Sequence, residues 1–236
     1  MKTILTIITL LFGQFLIQAQ SAFVNLGFES ADLPPIPQGQ FGGFVPISQA
    51  LPGWKGVLGT NTVTSVLQNN AAVGGANISI FGPNWTTAQI IEGQYTVLLQ
   101  PGAFGALDVD ASLVQTGVIP IGSQSLRFKA AGWSDVWIPE FSVYFTGQQL
   151  SAIPLSSGPN YTYYGADVSA FSGQKGDLEF MALANSSHPN NILLDSFVFS
   201  PIPVPEPEPL ALLGLAIVIP LVWQRFRRPF VKLGSK

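Results

Sequence analysis

Chemistry in this chain would have to be done with few tools. It holds one histidine, His188, and no cysteine, which removes thiolate nucleophiles, thiolate metal sites and disulfides together. His188 stands in "SSHPNN", a Ser/Asn/Pro stretch that reads as a solvated turn rather than the oriented base of a nucleophilic triad. A single histidine also excludes the common multi-histidine zinc sites. Asp108 and Asp110 in "ALDVDAS" share one face of a strand. Glycosidases place their two acids across a cleft, whereas a spacing of two on one strand fits a solvated face or a cation contact. No catalytic and no cofactor-binding residue is assigned. The expectation is a protein that is not an enzyme, with a glycoside hydrolase the third reading.

Asp195 is more informative. It interrupts "ILLDSFVF", where both alternating sets, Ile192, Leu194 and Val198 against Leu193, Phe197 and Phe199, are apolar. A carboxylate there needs backbone donors, a cation or a shifted pKa. Glu29 follows "NLGF" in the first strand region. Aromatic residues supply the remaining signal. Trp54 in "PGW" reads as a core plug. Trp85 in "GPNWTT", Trp133 and Trp137 in "GWSDVW", and Tyr161, Tyr163 and Tyr164 in "NYTYYG" lie nearer turns. Rings beside Asn, Asp and Gln are what sugar stacking with hydroxyl hydrogen bonds requires. Packing within a β-sandwich is the other use of the same rings.

The elements that must position these groups are strands. "SLRFKA" puts Leu126 and Phe128 on one face and Arg127 and Lys129 on the other, a period of two. "FSVYFTGQQL" repeats it and turns at Gly147. "YTVLLQPG", "ASLVQTGVIP", "YTYYGADVS", "DLEFMALA" and "NILLDSFVFS" continue it. That makes about ten strands and no convincing amphipathic helix. Of the 236 residues only 10% are charged, while 24 are glycine and 19 proline, a composition that leans all-β. The expected fold is an antiparallel β-sandwich, one domain over residues 20–200, with no internal repeat. Residues 20–203 hold eleven acidic residues against four basic ones. That excess disfavours nucleic acid or an anionic membrane surface as a partner of the body.

The two ends are of another kind. "MKTILTIITLLFGQFLIQAQ" has one early lysine, an apolar run and small residues near Ala19, the pattern of a signal peptide over residues 1–19. An uncleaved anchor helix is the alternative. At the far end, prolines 201, 203, 205, 207 and 209 make an extended spacer over 201–209. An uncharged run from Leu210 to Trp223 follows, then Arg225, Arg227 and Arg228. A run of this length is short for a bilayer, and a buried core helix is its plain reading. The isolating spacer, the arginines and the boundary Trp223 favour a transmembrane helix over 210–224 with a basic cytoplasmic tail over 225–236.

Pro205-Glu206-Pro207, the apolar run "LALLGLAIVIPLVW" and the basic cluster together resemble the PEP-CTERM sorting signal of Gram-negative bacteria. The resemblance implies that the tail is a substrate of an exosortase, after transient anchoring in the inner membrane through the helix. It also implies export to the cell surface or extracellular matrix of a bacterium that makes extracellular polysaccharide. In the body, "VNLGFES", "LPGWKG", "DVSAFSGQKGDLEFMA" and "NILLDSFVFS" in that order resemble the galactose-binding-like jelly roll of secreted carbohydrate-binding modules. That second resemblance implies one structural Ca²⁺, with Glu29 and Asp195 as side-chain ligands and the carbonyl of Gly27 as a third. Acceptance of backbone hydrogen bonds by both carboxylates is the equal alternative. The function expected is a non-catalytic binding module, for polysaccharide, on an exported protein; the runner-up is a structural matrix protein with no specific ligand.

Overall fold

The computed structural model describes residues 22–72, 75–83, 85, 90–133, 140–184 and 190–205. Within them the period-two pattern governs the fold. Leu126, Phe128 and Ala130 are buried, and Arg127 and Lys129 lie on the other side of their strand.

In chain order the strands are β1 Phe44–Pro46, β2 Lys55–Leu58, β3 Asn61–Val63 and β4 Ser65–Gln68. Then come β5 Asn77–Phe81, β6 Thr96–Gln100, β7 Gly102–Phe104 and β8 Leu107–Val109. β9 Ala111–Val118, β10 Ser125–Gly132, β11 Phe141–Phe145 and β12 Gln148–Leu150 follow. The last four are β13 Ala152–Ser157, β14 Thr162–Asp167, β15 Lys175–Ala182 and β16 Ile192–Ser200. Among the described residues helix is confined to one α turn, Ile47–Ala50, and one 3₁₀ turn, Ser169–Phe171.

The strands form an eight-stranded sheet in the order β1-β4-β5-β6-β16-β10-β14-β13 and a six-stranded sheet in the order β12-β11-β15-β9-β2-β3. β7 and β8 make a separate hairpin. Among the described strands every pairing is antiparallel except β4 with β5; two isolated bridges, Ala22 with Val118 and Gly75 with Ala103, are parallel. The all-β expectation stands. The strands outnumber the expected ten because pieces such as "GAF" and "LDV" are too short to show a period.

One core lies between the two large sheets. Ile78, Ile80, Val97 and Leu99 come to it from the eight-stranded sheet, and Leu113, Val143, Leu178 and Phe180 from the six-stranded one. Phe180 meets Phe197 at 4.3 Å and Phe128 at 5.1 Å between ring centres, across the sandwich. Trp54 is the core plug its setting suggested: it is 4% exposed, packs on Phe28 and Phe197, and donates its indole N–H to the Asn25 carbonyl at 3.0 Å.

The ambiguity of "ILLDSFVF" has a structural cause. A bulge shifts the β10–β16 register between Arg127 and Lys129, with Ser196 at φ 55°. An extra residue in one strand reverses which side chains point inward beyond it. Ile192 and Leu194 face the core before the bulge, and Phe197 faces it afterwards. Val198, grouped with the first pair by strict alternation, is instead 51% exposed.

The chain divides into two units, Met1–Pro203 and Val204–Lys236. Of the second unit only Val204 and Pro205 are described. Among the described residues no helix is long and apolar enough to cross a membrane; the runs at 1–19 and 210–224 lie outside them.

Candidate functional site

Two carboxylates far apart in sequence grip one turn. Asp195, 1% exposed in the middle of β16, accepts hydrogen bonds on Oδ2 from the Thr96 hydroxyl at 2.8 Å and the Glu92 amide at 3.1 Å. Its Oδ1 accepts from the Ser196 amide at 2.6 Å. The Thr96 hydroxyl in turn accepts from the Ile91 amide at 2.9 Å. Glu29 accepts from the Gln94 amide at 3.0 Å and the Tyr95 amide at 3.2 Å. Residues 91–96, which lead into β6, are therefore held from both sides by the first and last segments of the domain. Glycine suits position 93: its φ is +64°, which L side chains rarely adopt, and a Cβ would push the Glu29 carboxylate away from the turn.

Burial pushes the Asp195 carboxyl up to about 6 against the pull of its Thr96, Glu92 and Ser196 hydrogen bonds. Beside it lies Lys129, which pairs with Asp195 in the β10–β16 register and makes an ion pair with Glu92 at 2.8 Å. The hydrogen bonds from Lys129 and then from the Ser196 hydroxyl hold Glu92 below the usual carboxylate range. Burial works against the Lys129 charge, but the Glu92 carboxylate outweighs it and raises the ammonium above its ordinary value.

The donor set decides how well this clasp suits a cation. Each carboxylate meets N–H or O–H groups, whose positive ends favour an anionic acceptor and oppose a metal at the same lone pairs. Calcium prefers six to eight oxygen ligands. Among the described residues no group of three or more His, Cys, Asp or Glu stands close enough to hold a metal ion. A cation between Glu29 and Asp195 would have to draw on carbonyls such as that of Gly27, which lies in the turn leading to Glu29.

The outer face of the eight-stranded sheet carries a second apolar cluster. Phe81 from β5, Leu98 from β6, Leu193 from β16 and Ile91 form its floor. Trp85, Trp133 and Tyr161 pack over them, each only partly buried. Phe81 lies 4.8 Å from Trp85 and 5.3 Å from Trp133, ring centre to ring centre. Lys129 extends over Tyr161 at 4.8 Å, and the Asn160 amide donates to the Ile90 carbonyl at 3.4 Å. Among the described residues the Trp85 indole N–H has no partner. Three of the six nominated rings are thus brought to one face.

The others are placed differently. Tyr163 pairs with Lys129 in the β10–β14 register and so lies on the same outer face, but outside the packed cluster. Tyr164, one residue on, turns to the core side, stacked on Phe128 at 5.5 Å and edge-on to Phe141 at 5.0 Å. Adjacent strand residues face opposite ways, so these two tyrosines cannot serve one platform. Asp108 is exposed on the β7–β8 hairpin, and Asp110 accepts from the Ala184 amide at 2.6 Å. Trp137, His188, Glu206, Pro207, Arg225, Arg227 and Arg228 lie outside the described residues, while Pro205 is exposed.

Glu92, Thr96 and Lys129 belong to this site and were not singled out from the sequence. Lys129 alone left a trace, as one of only four basic residues in the body.

No protein-family model matches the chain, and no curated protein matches it. Solved structures give loose similarities. The family 11 carbohydrate-binding module of Clostridium thermocellum, in complex with a β-1,3-1,4-mixed-linked tetrasaccharide, aligns over 68% of this chain and 95% of its own. The identity is 9% and the TM-score 0.33. TmCBM61, in complex with β-1,4-galactotriose, aligns over 77% of this chain and 99% of its own, at 11% identity and a TM-score of 0.33. The enzymatically active domain of bacteriophage CBA120 tailspike protein 4 aligns over 63% of this chain but only 19% of its own, at 13% identity and a TM-score of 0.36. Similarity at this level assigns neither ligand nor activity.

Proposed function

We propose that the β-sandwich is a non-catalytic binding module for polysaccharide, of the galactose-binding-like jelly-roll kind, on an exported protein. The observation that carries the reading is the aromatic face: Trp85, Trp133 and Tyr161, separated by up to 76 positions in sequence, share one floor and remain partly open to solvent. Ring faces of this kind pack against the C–H faces of sugars, and the nearby Asn160 and Lys129 supply polar groups for hydroxyls. A polysaccharide pull-down on residues 20–203 tests it. The wild type should be retained by at least one polysaccharide, and Trp133→Ala should weaken retention about tenfold with the fold intact. Equal retention of the two proteins would remove the aromatic face from the binding.

The proposal extends to the ends. Residues 1–19 direct export, and the Pro205-Glu206-Pro207 motif, the 210–224 helix and the arginines sort the protein through the inner membrane to an exosortase. Support for this part is the order of motif, apolar run and basic cluster in the sequence. A structural Ca²⁺ held by Glu29, Asp195 and the Gly27 carbonyl is the rival account of the clasp; the amide and hydroxyl donors aimed at both carboxylates support the hydrogen-bonded one.

A further inference from the structure

The aromatic face does not stop at Trp85. Among the described residues the two most exposed phenylalanines are Phe41, at 72%, and Phe44, at 66%. Phe44 opens β1, the edge strand of the eight-stranded sheet. Phe41 lies just before it, where the Gly42 amide still donates to the Asn69 carbonyl and the Gly43 carbonyl accepts from the Gln68 amide. The register fixes the side. Val45 pairs with Val66, and both belong to the core, so Phe44 and its partner Leu67 point to the outer face. Leu67 pairs onward with Ser79, Ser79 with Leu98 and Leu98 with Leu193. Phe44 thus begins a row of outward positions that runs into the floor of the aromatic cluster.

Phe41 reaches that cluster directly. Its ring lies 5.8 Å from Trp85, Trp85 lies 4.8 Å from Phe81, and Phe81 lies 5.3 Å from Trp133. Four rings therefore form one connected chain on this face, with Phe81 buried and the other three partly or largely open. The Trp85 side chain is held by packing, since its enclosed indole N–H has no hydrogen-bond partner among the described residues. Single exposed apolar residues are ordinary, but these two adjoin a partly open cluster and enlarge it. A contiguous patch of that kind marks an interaction surface.

Three occupants compete for it. A second copy of the chain would pair along β1, but that strand has three residues, follows two glycines and ends in Pro46, which makes a poor template for a ladder. An anionic membrane surface is opposed by the acidic excess of the body. A glycan chain lying on Trp133 and Trp85 would meet Phe41 next, because each step between rings is comparable with the advance of one sugar along the chain. Phenylalanine brings a flat apolar ring and no hydrogen-bonding group. It can take the C–H face of any pyranose, so it reads the length of a chain and not the identity of its sugars.

We propose that Phe41, together with Phe44, is an outer subsite of the aromatic face, and that the face takes a stretch of several linked pyranose units rather than a single sugar. The inference rests on the polysaccharide-binding reading and adds to it the length of ligand and the residues that measure it.

Calorimetric titration of the full-length chain in a non-glycosidic detergent tests it. The probes are cellobiose and cellohexaose, and β-1,4-galactobiose and β-1,4-galactohexaose. At least one hexaose should bind about tenfold or more tightly than its own biose. Both phenylalanines are exposed, so their variants should melt with the wild type. Phe41→Ala should remove most of the hexaose advantage, weakening the hexaose about fivefold and the biose much less. Phe41→Tyr, which keeps the ring, should restore it, and Phe44→Ala should act on the hexaose in the same direction as Phe41→Ala. A hexaose advantage that survives both alanine variants would overturn the subsite while leaving the polysaccharide reading in place. Equal weakening of both lengths by Phe41→Ala would overturn it too, by making Phe41 a prop for Trp85. So would a concentration-dependent dimer in ultracentrifugation that Phe41→Ala abolishes, since a second copy would then cover the edge. Silence of all four probes also overturns it, and retention in the polysaccharide pull-down then decides separately whether the broader reading stands.

Discussion

Replacing Asp195 with asparagine tests the clasp most directly, because the two residues have nearly the same shape and differ in charge and in one acceptor. Burial lifts the folded carboxyl from 3.8 to about 6. Keeping it ionised at neutral pH therefore costs about 3 kcal/mol relative to its protonated form. Asparagine escapes that penalty but offers one acceptor where Asp195 offers two. One of the Glu92 and Ser196 amides then loses its partner, at about 1–3 kcal/mol. The two effects roughly cancel at pH 7, and the variant should lie within about 2 kcal/mol of the wild type. Asp195→Ala removes both acceptors and should cost roughly 2–5 kcal/mol.

The pH profile separates the terms. A folded pKa above the unfolded one means the folded chain takes up a proton, between about pH 6 and 4, that the unfolded chain leaves in solution. Asp195's contribution to stability is thus fully present below about pH 4 and is lost as pH rises through 6. Glu92, whose pKa is lowered, works the other way and loses its contribution as pH falls. Comparing wild type with Asp195→Asn at each pH cancels it. On cooling the pH from 7 to 4.5, the wild type should gain on the variant by roughly 2 kcal/mol, or about 4–8 °C in melting temperature. Melts followed by circular dichroism at half-unit pH steps provide the measurement. Parallel curves for the two proteins would refute the buried, hydrogen-bonded carboxylate. The same melts in chelator and in millimolar calcium decide the rival account. Binding at a hundred times Kd would add about 2.7 kcal/mol to the wild type and much less to the asparagine variant.

Gly93→Ala should lower stability by roughly 1–3 kcal/mol, since it puts a side chain in a left-handed backbone and pushes the Glu29 carboxylate off the turn. In combination with Glu29→Ala the two losses should fall short of their sum, as expected of one shared contact; simple additivity in a double-mutant cycle would show that Glu29 does not hold this turn. Removing Leu210 to Lys236, or changing Pro205-Glu206-Pro207 to alanines, should alter membrane retention or mature mass in the native host, and an unchanged location and mass would end the sorting-signal account.

What was legible in the sequence follows from where the information sits. A strand with one buried face writes its own alternation, so Leu126 and Phe128 against Arg127 and Lys129 could be placed from six letters. Asp195 stood out because the alternating sets around it, Ile192, Leu194 and Val198 against Leu193, Phe197 and Phe199, are apolar, and the need for donors or a cation followed from desolvation alone. Its partners did not follow. Thr96 and Glu92 lie 99 and 103 residues away, and nothing local marks a threonine at the head of a strand as a buried donor. The bulge at Ser196 was equally silent, because a positive φ at serine has no sequence signature. The nominated tyrosines show the same limit: adjacency in "NYTYYG" suggested one platform, whereas the pleat sends Tyr163 and Tyr164 to opposite faces.

The clasp and the aromatic face are also parts of one construction. Ile91 belongs to the floor under Trp85 and Trp133, and its amide is fixed by the Thr96 hydroxyl that Asp195 holds. Leu193, two residues before Asp195 on β16, is in the same floor. Lys129 joins them from the third side, tied to Glu92 and lying over Tyr161. Freeing residues 91–96 would therefore withdraw Ile91 from beneath the rings and release the lysine from the edge of the face. Trp85 and Trp133, held 4.8 and 5.3 Å from the Phe81 ring of a packed floor, present a fixed surface, whereas rings on a loosened floor would have to be reordered on each binding event, at about 0.5–1.5 kcal/mol per side chain. On this argument the two carboxylates, though outside the aromatic cluster, would set how well the proposed face binds its ligand.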